Sequence, residues 1–343
     1  MTGVSAVGTI EDHAVYKITS VRFYSLISST CDNGAGIDYF DVPTNQMLPH
    51  PCADVHKYFA SGAFYFSYSL DLTSSMQRRS LVSVPGPNAR TTPWDSVNER
   101  FLFNRYLLKD LLRITPRTAG TRYPPLIFCI QGFVEVHRGQ LRNEKYSAAI
   151  ISRLSGDRVG TRFNTRGIND GGHVANFVET EQIVTLGGMT YAAVIVRGSV
   201  PLFWEQKGIQ LGGHRIDFAR TIPASLPAAR RHMNDLHLAY GAIRVVNLLA
   251  QKNDEQVLSD AYRRIVTMLD DPLIKVTNFD SHYHLKENFE NISLLLAELG
   301  RDIKNFSFFT RDNSTKEVVS KQEGIFRVNC VDCLDRYGRD GIL

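Results

Sequence analysis

A short strand that leads directly into a cysteine and an arginine constrains this chain more than any other feature. The segment Gly324–Asn329 is apolar and β-branched, as strands are. Cys330 follows it at once, and Arg336 comes after five intervening residues. A cysteine and an arginine at this spacing can wrap an oxyanion, with the thiolate beneath phosphorus and backbone N–H groups on its oxygens. Because a strand, such a loop and a following helix direct N–H groups at phosphate, we interpret residues 330–336 as a phosphatase nucleophile loop of an α/β fold.

Cys330 and Cys333 also form a Cys-x-x-Cys pair, which leaves three other interpretations open. A structural zinc site needs two more ligands at suitable spacing, and the sequence has no second Cys-x-x-Cys. A thioredoxin-like redox pair normally opens a helix near the start of a βαβ unit, whereas this pair lies near the final residue. The third alternative is a buried pair that packs as two small hydrophobic residues. The preceding strand and the two acids in the loop, Asp332 and Asp335, favour the nucleophile loop.

Each polar residue of the loop has a chemical role in this interpretation. Cys330 is the nucleophile, and its pKa must be lowered so that the thiolate exists near neutral pH. Arg336 binds two phosphate oxygens bidentately. Asp332 or Asp335 protonates the departing alkoxide and then activates the water that cleaves the phosphocysteine, and the sequence leaves the choice between them open. Cys333 is a candidate resolving thiol that forms a reversible disulfide with Cys330 under oxidation.

The composition is that of an ordinary globular protein. Of 343 residues, 43% are hydrophobic and 22% charged, which is enough for one large core or, more in keeping with this length, two. The net charge of +4 suits anionic partners and is too small to indicate nucleic acid by itself. The five cysteines are odd in number and scattered, which favours a reducing cytosolic setting over a disulfide framework. We expect no transmembrane helix and no secretory signal.

Turn signals and apolar spacing predict a strand-rich first third followed by an α/β region. The Pro- and Gly-containing stretch 116–125 is the best domain boundary, so we predict an N-terminal domain over residues 1–118 and a catalytic domain over 119–343. Strands are predicted at 9–10, 15–19, 21–24, 64–70, 126–134, 147–152, 175–179, 192–196, 307–310 and 324–329. Helices are predicted from residue 95 to about 112 and at 227–250, 255–269 and 288–299.

Several blocks resemble the Sac-type phosphoinositide phosphatases in order and spacing. The blocks that carry the resemblance are FYFSYSLDLT (64–73), GTRFNTRG (160–167), GHVANFVETEQ (172–182), RGSVPLFWEQ (197–206) and NCVDCLDR (329–336). The last block is similar to the nucleophile motif of that family. The resemblance runs from about residue 8 to Arg336, and the sequences of the blocks at 160–167 and 172–182 are most similar to the Sac domain of synaptojanins.

The resemblance implies both a fold and an activity. The implied fold is a strand-rich N-terminal subdomain packed on an α/β catalytic domain, with a central mixed sheet and the Cys-x5-Arg phosphate loop. The implied activity is metal-independent hydrolysis of phosphate monoesters on phosphatidylinositol phosphates at the cytosolic membrane surface, without a cofactor. No nucleic-acid partner is expected, and protein partners and the ring position cleaved stay open. Four further residues of the block at 329–336 are assigned to substrate binding: Asn329, Val331, Cys333 and Leu334.

Outside the loop, four arginines lie within fourteen positions: Arg153, Arg158, Arg162 and Arg166. They suit anionic headgroups or a lipid surface, and an ordinary solvated face is the alternative. We assign Arg162 and Arg166 to substrate binding. We expect Asn176, Glu179, Glu181 and Gln182 to frame the pocket and Trp204 to lie in the core. Arg197 and Glu205 are candidates to line the active site, and His282 is either a structural histidine or a proton shuttle.

The residues after Arg336 depart from the family pattern. Family members usually carry Thr-Asn there and continue into a long helix, whereas here Tyr337 and Gly338 follow within a seven-residue end. Gly338 and Gly341 disfavour a helix in so short a segment, because glycine costs about 1 kcal/mol and nucleation is unfavourable. We therefore expect a shortened Sac domain (a fragment, a frameshifted end or a short isoform) with impaired activity and stability. The alternative to an enzyme is a Sac-fold protein that binds phosphoinositides or acts as a scaffold without turnover.

Overall fold

The structure, a computed structural model, describes residues 3–22, 53–81, 97–114, 126–161, 165–207, 215–250, 253–280 and 291–329. The strands of these ranges are β1 Gly3–Ile10, β2 His13–Ser20, β3 Phe64–Phe66, β4 Cys129–Leu141, β5 Glu144–Leu154, β6 Val178–Leu186, β7 Met189–Gly198, β8 Trp204–Lys207, β9 Arg215–Phe218, β10 Ala242–Asn247, β11 Ile274–Asn278, β12 Phe309–Asp312, β13 Val318–Ser320 and β14 Gly324–Asn329. The helices are α1 Ala53–Phe59, α2 Met76–Leu81, α3 Arg105–Ile114, α4 Ile222–Tyr240, α5 Asn253–Leu269 and α6 Ile292–Phe306. Among these helices, none is long and apolar enough to cross a membrane.

One mixed sheet of twelve strands organises the described part of the chain, in the order β1-β2-β3-β4-β5-β6-β7-β14-β10-β11. From β1 to β7 all neighbours are antiparallel. From β7 through β14 and β10 to β11 they are parallel. β12 pairs antiparallel with residues 189–192 of β7, and β14 pairs with residues 195–198 of the same strand, so that β12 and β14 lie end to end along β7. β13 pairs with β12. β14, the last strand of the described residues, is therefore one of the two inner strands of the parallel half, beside β10.

The parallel half is covered by helices on both faces, as parallel sheets require. On one face, α4 and α5 bury Leu236, Leu258 and Tyr262 in one cluster with Ile243 and Val245 of the central strand β10. On the other face, Leu299 of α6 packs against Val246 and Val328. Because β10 and β14 are covered on both faces, burial of a polar side chain on them costs free energy unless it finds a hydrogen-bonding partner inside the protein.

The antiparallel half has two cores of its own, and the sheet is continuous across them. Phe64 and Phe66 of β3 lie with Ile18, Phe59 and Cys129 in one cluster. A second cluster joins residues of β1, β4 and β5 to the segment that follows β3. Because β3 pairs with β4, the sheet runs across the predicted boundary between residues 118 and 119. The division into domains 1–118 and 119–343 stays a prediction.

The expected fold class, a mixed α/β protein with a central mixed sheet, is confirmed, and several element predictions agree closely. β14 has the predicted bounds Gly324–Asn329, and the helix predicted at 255–269 is α5. The helix predicted at 227–250 is wrong beyond Tyr240. Gly241 adopts a φ of 85° and ends α4, after which Ala242–Asn247 forms β10. Apolar residues at this spacing suit a helix as well as a buried strand, so periodicity could not separate the two.

Other boundaries also shift. The strand predicted at 64–70 ends at Phe66, and the helix predicted from residue 95 is limited to Arg105–Ile114. The helix predicted at 288–299 is Ile292–Phe306. The strands β8, β9, β11 and β13 were not predicted, because they are three to five residues long and carry little pattern.

Candidate functional site

The ends of four parallel strands meet at one edge of the sheet. Gly198 of β7 is in register with Asn329 of β14, and Asn329 with Asn247 of β10. Asn247 is in turn in register with Asn278 of β11. Open α/β sheets bind ligands outside the carboxyl ends of their parallel strands. We call these four strand ends the carboxyl edge, and it is the candidate site.

Most of the predicted site residues lie outside the described residues, namely Arg162 and the whole loop of Cys330, Val331, Asp332, Cys333, Leu334, Asp335 and Arg336. His282 lies outside them too. Of the assigned site residues, Asn329 and Arg166 are described. Cys330 is covalently bonded to Asn329, the last residue of β14.

Asn329 is fully buried at the end of β14. Its Oδ1 accepts a hydrogen bond from Nη1 of Arg327, two residues earlier on the same face of the strand. Its backbone carbonyl accepts from the N–H of Leu248, which ties β14 to the end of β10. The side chain of Asn329 therefore holds the strand end in place from inside the protein.

Arg327 is the centre of a buried polar network beneath the carboxyl edge. The side chain has no exposed surface. Its Nη2 donates to the backbone carbonyl of Ser199 at 2.8 Å, just beyond the end of β7. Its Nε donates to Nε2 of His232 on α4 at 3.1 Å. Together with the bond to Asn329, this guanidinium joins the ends of β7 and β14 to helix α4.

His232 has its protonation state set by these neighbours. Nδ1 lies 3.1 Å from the carbonyl oxygen of Gly172, so Nδ1 carries the proton and Nε2 is free to accept from Arg327. Burial lowers the pKa of His232 well below its usual value, and the charges of Arg327 and Arg100 lower it further. The imidazole is therefore neutral, which suits an acceptor of a guanidinium N–H.

A second set of polar residues lies beside this network on β10 and α5. Nδ2 of Asn247 donates to Oγ of Ser259 at 2.8 Å and to Oδ1 of Asn278 at 2.9 Å. Tyr262, fully buried on α5, has its pKa raised by burial and partly lowered by the neighbouring Arg327 and Asn329. Asn247 and Ser259 thus add buried polar side chains beneath the carboxyl edge.

The connection between β5 and β6 packs on the end of β7. The N–H of Gly167 donates to Oγ of Ser199 at 2.9 Å, and the N–H of Ser199 donates to the carbonyl of Ala175 at 3.1 Å. Arg166 precedes Gly167 and is buried, with Nε and Nη2 3.2 and 3.0 Å from Oε1 of Gln206. Its guanidinium also lies 5.8 Å from the ring centre of Trp204. Arg166 is therefore next to the carboxyl edge, with part of its hydrogen-bonding capacity used by Gln206.

Arg153 does not belong to this edge as a headgroup ligand, and that interpretation is wrong. Its side chain is fully buried and pairs with Glu179 at 2.7 Å and Glu181 at 2.5 Å. Glu179 also accepts from the hydroxyl of Tyr240 at the end of α4, and Glu181 from the N–H of Met76. Burial raises the pKa of Glu179 in spite of Arg153. The two glutamates are thus structural, in line with the expectation that they frame the site.

Two further residues have structural surroundings. Trp204 is buried in the large core cluster, as expected. Cys129 is buried in the sheet, and burial raises the pKa of its thiol to about 12. Within the described ranges, no three His, Cys, Asp or Glu side chains are grouped so that they could hold a metal ion.

Comparison with known proteins shows the family to which the chain belongs. The family model described as SacI homology domain matches residues 1–286. The chain belongs to this family. Human synaptojanin-1 is 35% identical over 344 residues, which cover 98% of this chain and 20% of the relative. The polyphosphatidylinositol phosphatase INP53 of Saccharomyces cerevisiae is 34% identical, over 94% of this chain and 30% of the relative.

An inositol-1,4,5-trisphosphate 5-phosphatase 1 of Schizosaccharomyces pombe is 32% identical, over 98% of this chain and 32% of the relative. The chain therefore spans a third or less of the length of these relatives. The resemblance on which the sequence analysis relied is confirmed at the level of the family.

Sequence reasoning missed the supporting residues of the carboxyl edge. Arg327 appeared only as part of the predicted strand Gly324–Asn329, and His232 gave no signal, because a histidine on a helix is usually structural. Ser199 and Asn247 became visible only when the strands were in register.

Proposed function

We propose that this Sac domain hydrolyses phosphate monoesters of membrane phosphoinositides through a phosphocysteine formed on Cys330. The observation that carries the proposal is the position of β14. Asn329 ends β14, an inner strand of the parallel half, at the carboxyl edge, and the Cys-x5-Arg segment begins with the next residue. This is the edge at which α/β sheets bind their ligands. Two relatives that are named as phosphatases of inositol compounds support the substrate class.

The proposed chemistry uses the chain's own side chains and neither a metal ion nor a cofactor. The Cys330 thiolate attacks phosphorus, so that an S–P bond forms as the P–O bond to the inositol breaks. Arg336 holds two of the phosphate oxygens, and Arg162 and Arg166 lie in the segment proposed to receive the headgroup. Asp332 or Asp335 gives its proton to the leaving alkoxide. The same carboxylate then takes a proton from water, which attacks phosphorus and releases the thiolate and inorganic phosphate.

The test is phosphate release from vesicles that contain a phosphatidylinositol monophosphate. Cys330→Ser is expected to abolish release. Cys129→Ala is the matched control, because this thiol is buried away from the carboxyl edge, and it is expected to retain activity. Full activity of Cys330→Ser would overturn the proposal.

A second pair of variants identifies the general acid. Asp332→Asn and Asp335→Asn are each compared on a phosphoinositide and on p-nitrophenyl phosphate, whose leaving group needs no proton. Replacement of the acid is expected to lower kcat on the lipid by about 10² to 10⁴-fold and to affect the aryl phosphate much less. A carboxylate whose loss affects both substrates equally is not the acid.

Binding without turnover is the second candidate function, and Tyr337 favours it. This residue stands where the family usually carries a threonine. Sedimentation with vesicles, measured beside phosphate release, separates the two functions. A chain that binds phosphoinositide vesicles and releases no phosphate is a binding module. Under either function, the proposed location is peripheral, on the cytosolic face of a membrane.

A further inference from the structure

We propose that Arg327, held in place by His232, is the positioning residue of the Cys330 loop: it fixes the strand ends from which that loop departs and brings a buried positive charge to the residue that precedes the thiol. The inference rests on the proposed function in that it takes Cys330 as the nucleophile. It assigns a role to two residues that lie outside the Cys-x5-Arg segment, one of them on a helix.

The first argument is mechanical. Arg327 donates to Ser199 beyond the end of β7 and to Asn329 at the end of β14. These two strands are neighbours, and their last residues, Gly198 and Asn329, are in register. One planar guanidinium therefore sets the relative position of two backbones at the point where the Cys330 loop begins. A lysine has no fork of fixed geometry and cannot make the same set of bonds.

The second argument is the orientation of the guanidinium. Nε is anchored by Nε2 of His232, whose Nδ1 is in turn anchored by the carbonyl of Gly172. Gly172 has a φ of 88°, and a Cβ there would lie 2.9 Å from Cβ of Arg231 on α4. The backbone of the β5–β6 connection and helix α4 are thus close enough for one histidine to bond both Gly172 and Arg327. Because the ring is buried and neutral, it accepts from Arg327 without adding a competing charge.

The third argument is electrostatic. The guanidinium contacts the side chain of Asn329, the residue to which Cys330 is covalently bonded. A positive charge bonded to the residue that precedes the thiol favours the thiolate by Coulomb attraction, which lowers the pKa of the thiol. A nucleophilic cysteine needs such a shift from its ordinary value of about 8.5. Arg327 would therefore position the loop and also favour the reactive form of the thiol.

The experiment measures the thiol directly, without substrate. The rate at which iodoacetamide alkylates Cys330 is followed by peptide mass spectrometry from pH 5 to pH 10. The pH at which this rate reaches half its maximum, called the midpoint, gives the thiol pKa. Arg327→Gln is expected to raise this midpoint by about one to two units, and Arg327→Lys by less, because lysine keeps the charge. In turnover on vesicles, both variants are expected to lower kcat with little change in KM.

Two variants of His232 keep the test decisive if an Arg327 variant does not fold. His232→Gln keeps one donor for Gly172 and one acceptor for Arg327, and is expected to retain the wild-type midpoint. His232→Phe keeps the volume and loses both bonds, and is expected to raise the midpoint. Met233→Ala is the stability control, since Met233 is the buried neighbour on α4 and lies outside the network.

Two results would overturn the inference. One is a folded Arg327→Gln or His232→Phe variant whose midpoint stays within about 0.3 units of wild type. The other is a Met233→Ala variant that shifts the midpoint as far as they do, which would make the effect one of general loosening. Failure of the proposed function has a different signature, because Cys330→Ser would then keep its phosphatase activity whatever the alkylation midpoints show.

Discussion

Arg153 and Glu181 form an ion pair in which neither side chain has any exposed surface, with Nη2 and Oε2 2.5 Å apart. Arg153 also binds Glu179 and donates to the carbonyls of Leu72 and Ser74. The pair therefore connects the segment after β3 to strands β5 and β6. Glu179 also accepts a hydrogen bond from the hydroxyl of Tyr240, which connects this cluster to the end of α4.

Arg153→Met is expected to lower the free energy of unfolding by about 3 to 5 kcal/mol, because it leaves two buried carboxylates without their cation. Urea denaturation measures this. The matched control is Arg263→Met, which removes an exposed ion pair with Asp260 on α5 and is expected to change stability by at most about 0.5 kcal/mol. Equal effects of the two substitutions would contradict the structural role of Arg153.

His232 makes stability depend on pH in a defined direction. Its pKa is depressed in the folded state, so protonation favours the unfolded chain. The stabilisation is present above the ordinary pKa of about 6.5 and is lost as the pH falls below it. Between pH 7.5 and pH 5.5, the wild type should lose about 1.4 kcal/mol more than His232→Gln. Met233→Leu, which leaves His232 in place, is the control and should lose as much stability as the wild type in the same urea series. The prediction would be contradicted if the free energy of unfolding fell equally with pH in the wild type and in His232→Gln.

Gly241 and Gly300 are expected to respond oppositely to alanine. At Gly241 the φ of 85° is strained for alanine, and a Cβ would lie 2.3 Å from the carbonyl oxygen of Glu323, so we expect a loss of about 1 to 3 kcal/mol. At Gly300, inside α6, a Cβ meets no atom within 4 Å, so the better helix propensity of alanine should add up to about 1 kcal/mol. Thermal unfolding measures both, and shifts of the same sign would show the local geometry to be wrong.

Cys129 is expected to be chemically inert in the folded protein. Its pKa of about 12 leaves very little thiolate at pH 8. N-ethylmaleimide at that pH should leave Cys129 unmodified, and should modify it once guanidinium has unfolded the chain. Peptide mass spectrometry gives both readings, and rapid labelling of the native protein would contradict the buried position of the thiol.

Tyr337→Thr is expected to raise kcat by about tenfold, because one hydrogen bond to a charged group contributes about 1.5 to 3 kcal/mol and the family usually carries a hydroxyl at this position. Tyr337→Phe is the control, since it keeps the ring and adds no hydroxyl near the thiol. Phosphate release from vesicles distinguishes them. No gain from threonine would show that this departure from the family does not limit activity.

The local sequence pattern was sufficient to predict a helix or strand wherever the element is long or its ends are marked by strong signals. β14 was predicted with its observed bounds, because a β-branched run lies between Gly324 and the Cys330 loop. α5 was predicted within two residues, since its apolar stripe recurs at helical spacing. β10 was mistaken for helix, because Val245, Val246 and Leu249 continue the apolar spacing of α4, and a strand covered on both faces does not alternate strictly between apolar and polar residues.

By itself, the sequence determined the family and the fold class, and it gave the candidate nucleophile, because these depend on motif blocks and on neighbours along the chain. Only the tertiary structure decided which polar residues support the carboxyl edge. Arg153 was grouped with Arg158 and Arg166 by sequence, yet it is buried against two glutamates. Arg327 and His232 are 95 positions apart and meet through one hydrogen bond. The physical reason is that a buried polar group must find partners inside the protein, and those partners are set by strand order and helix packing, which local spacing does not contain.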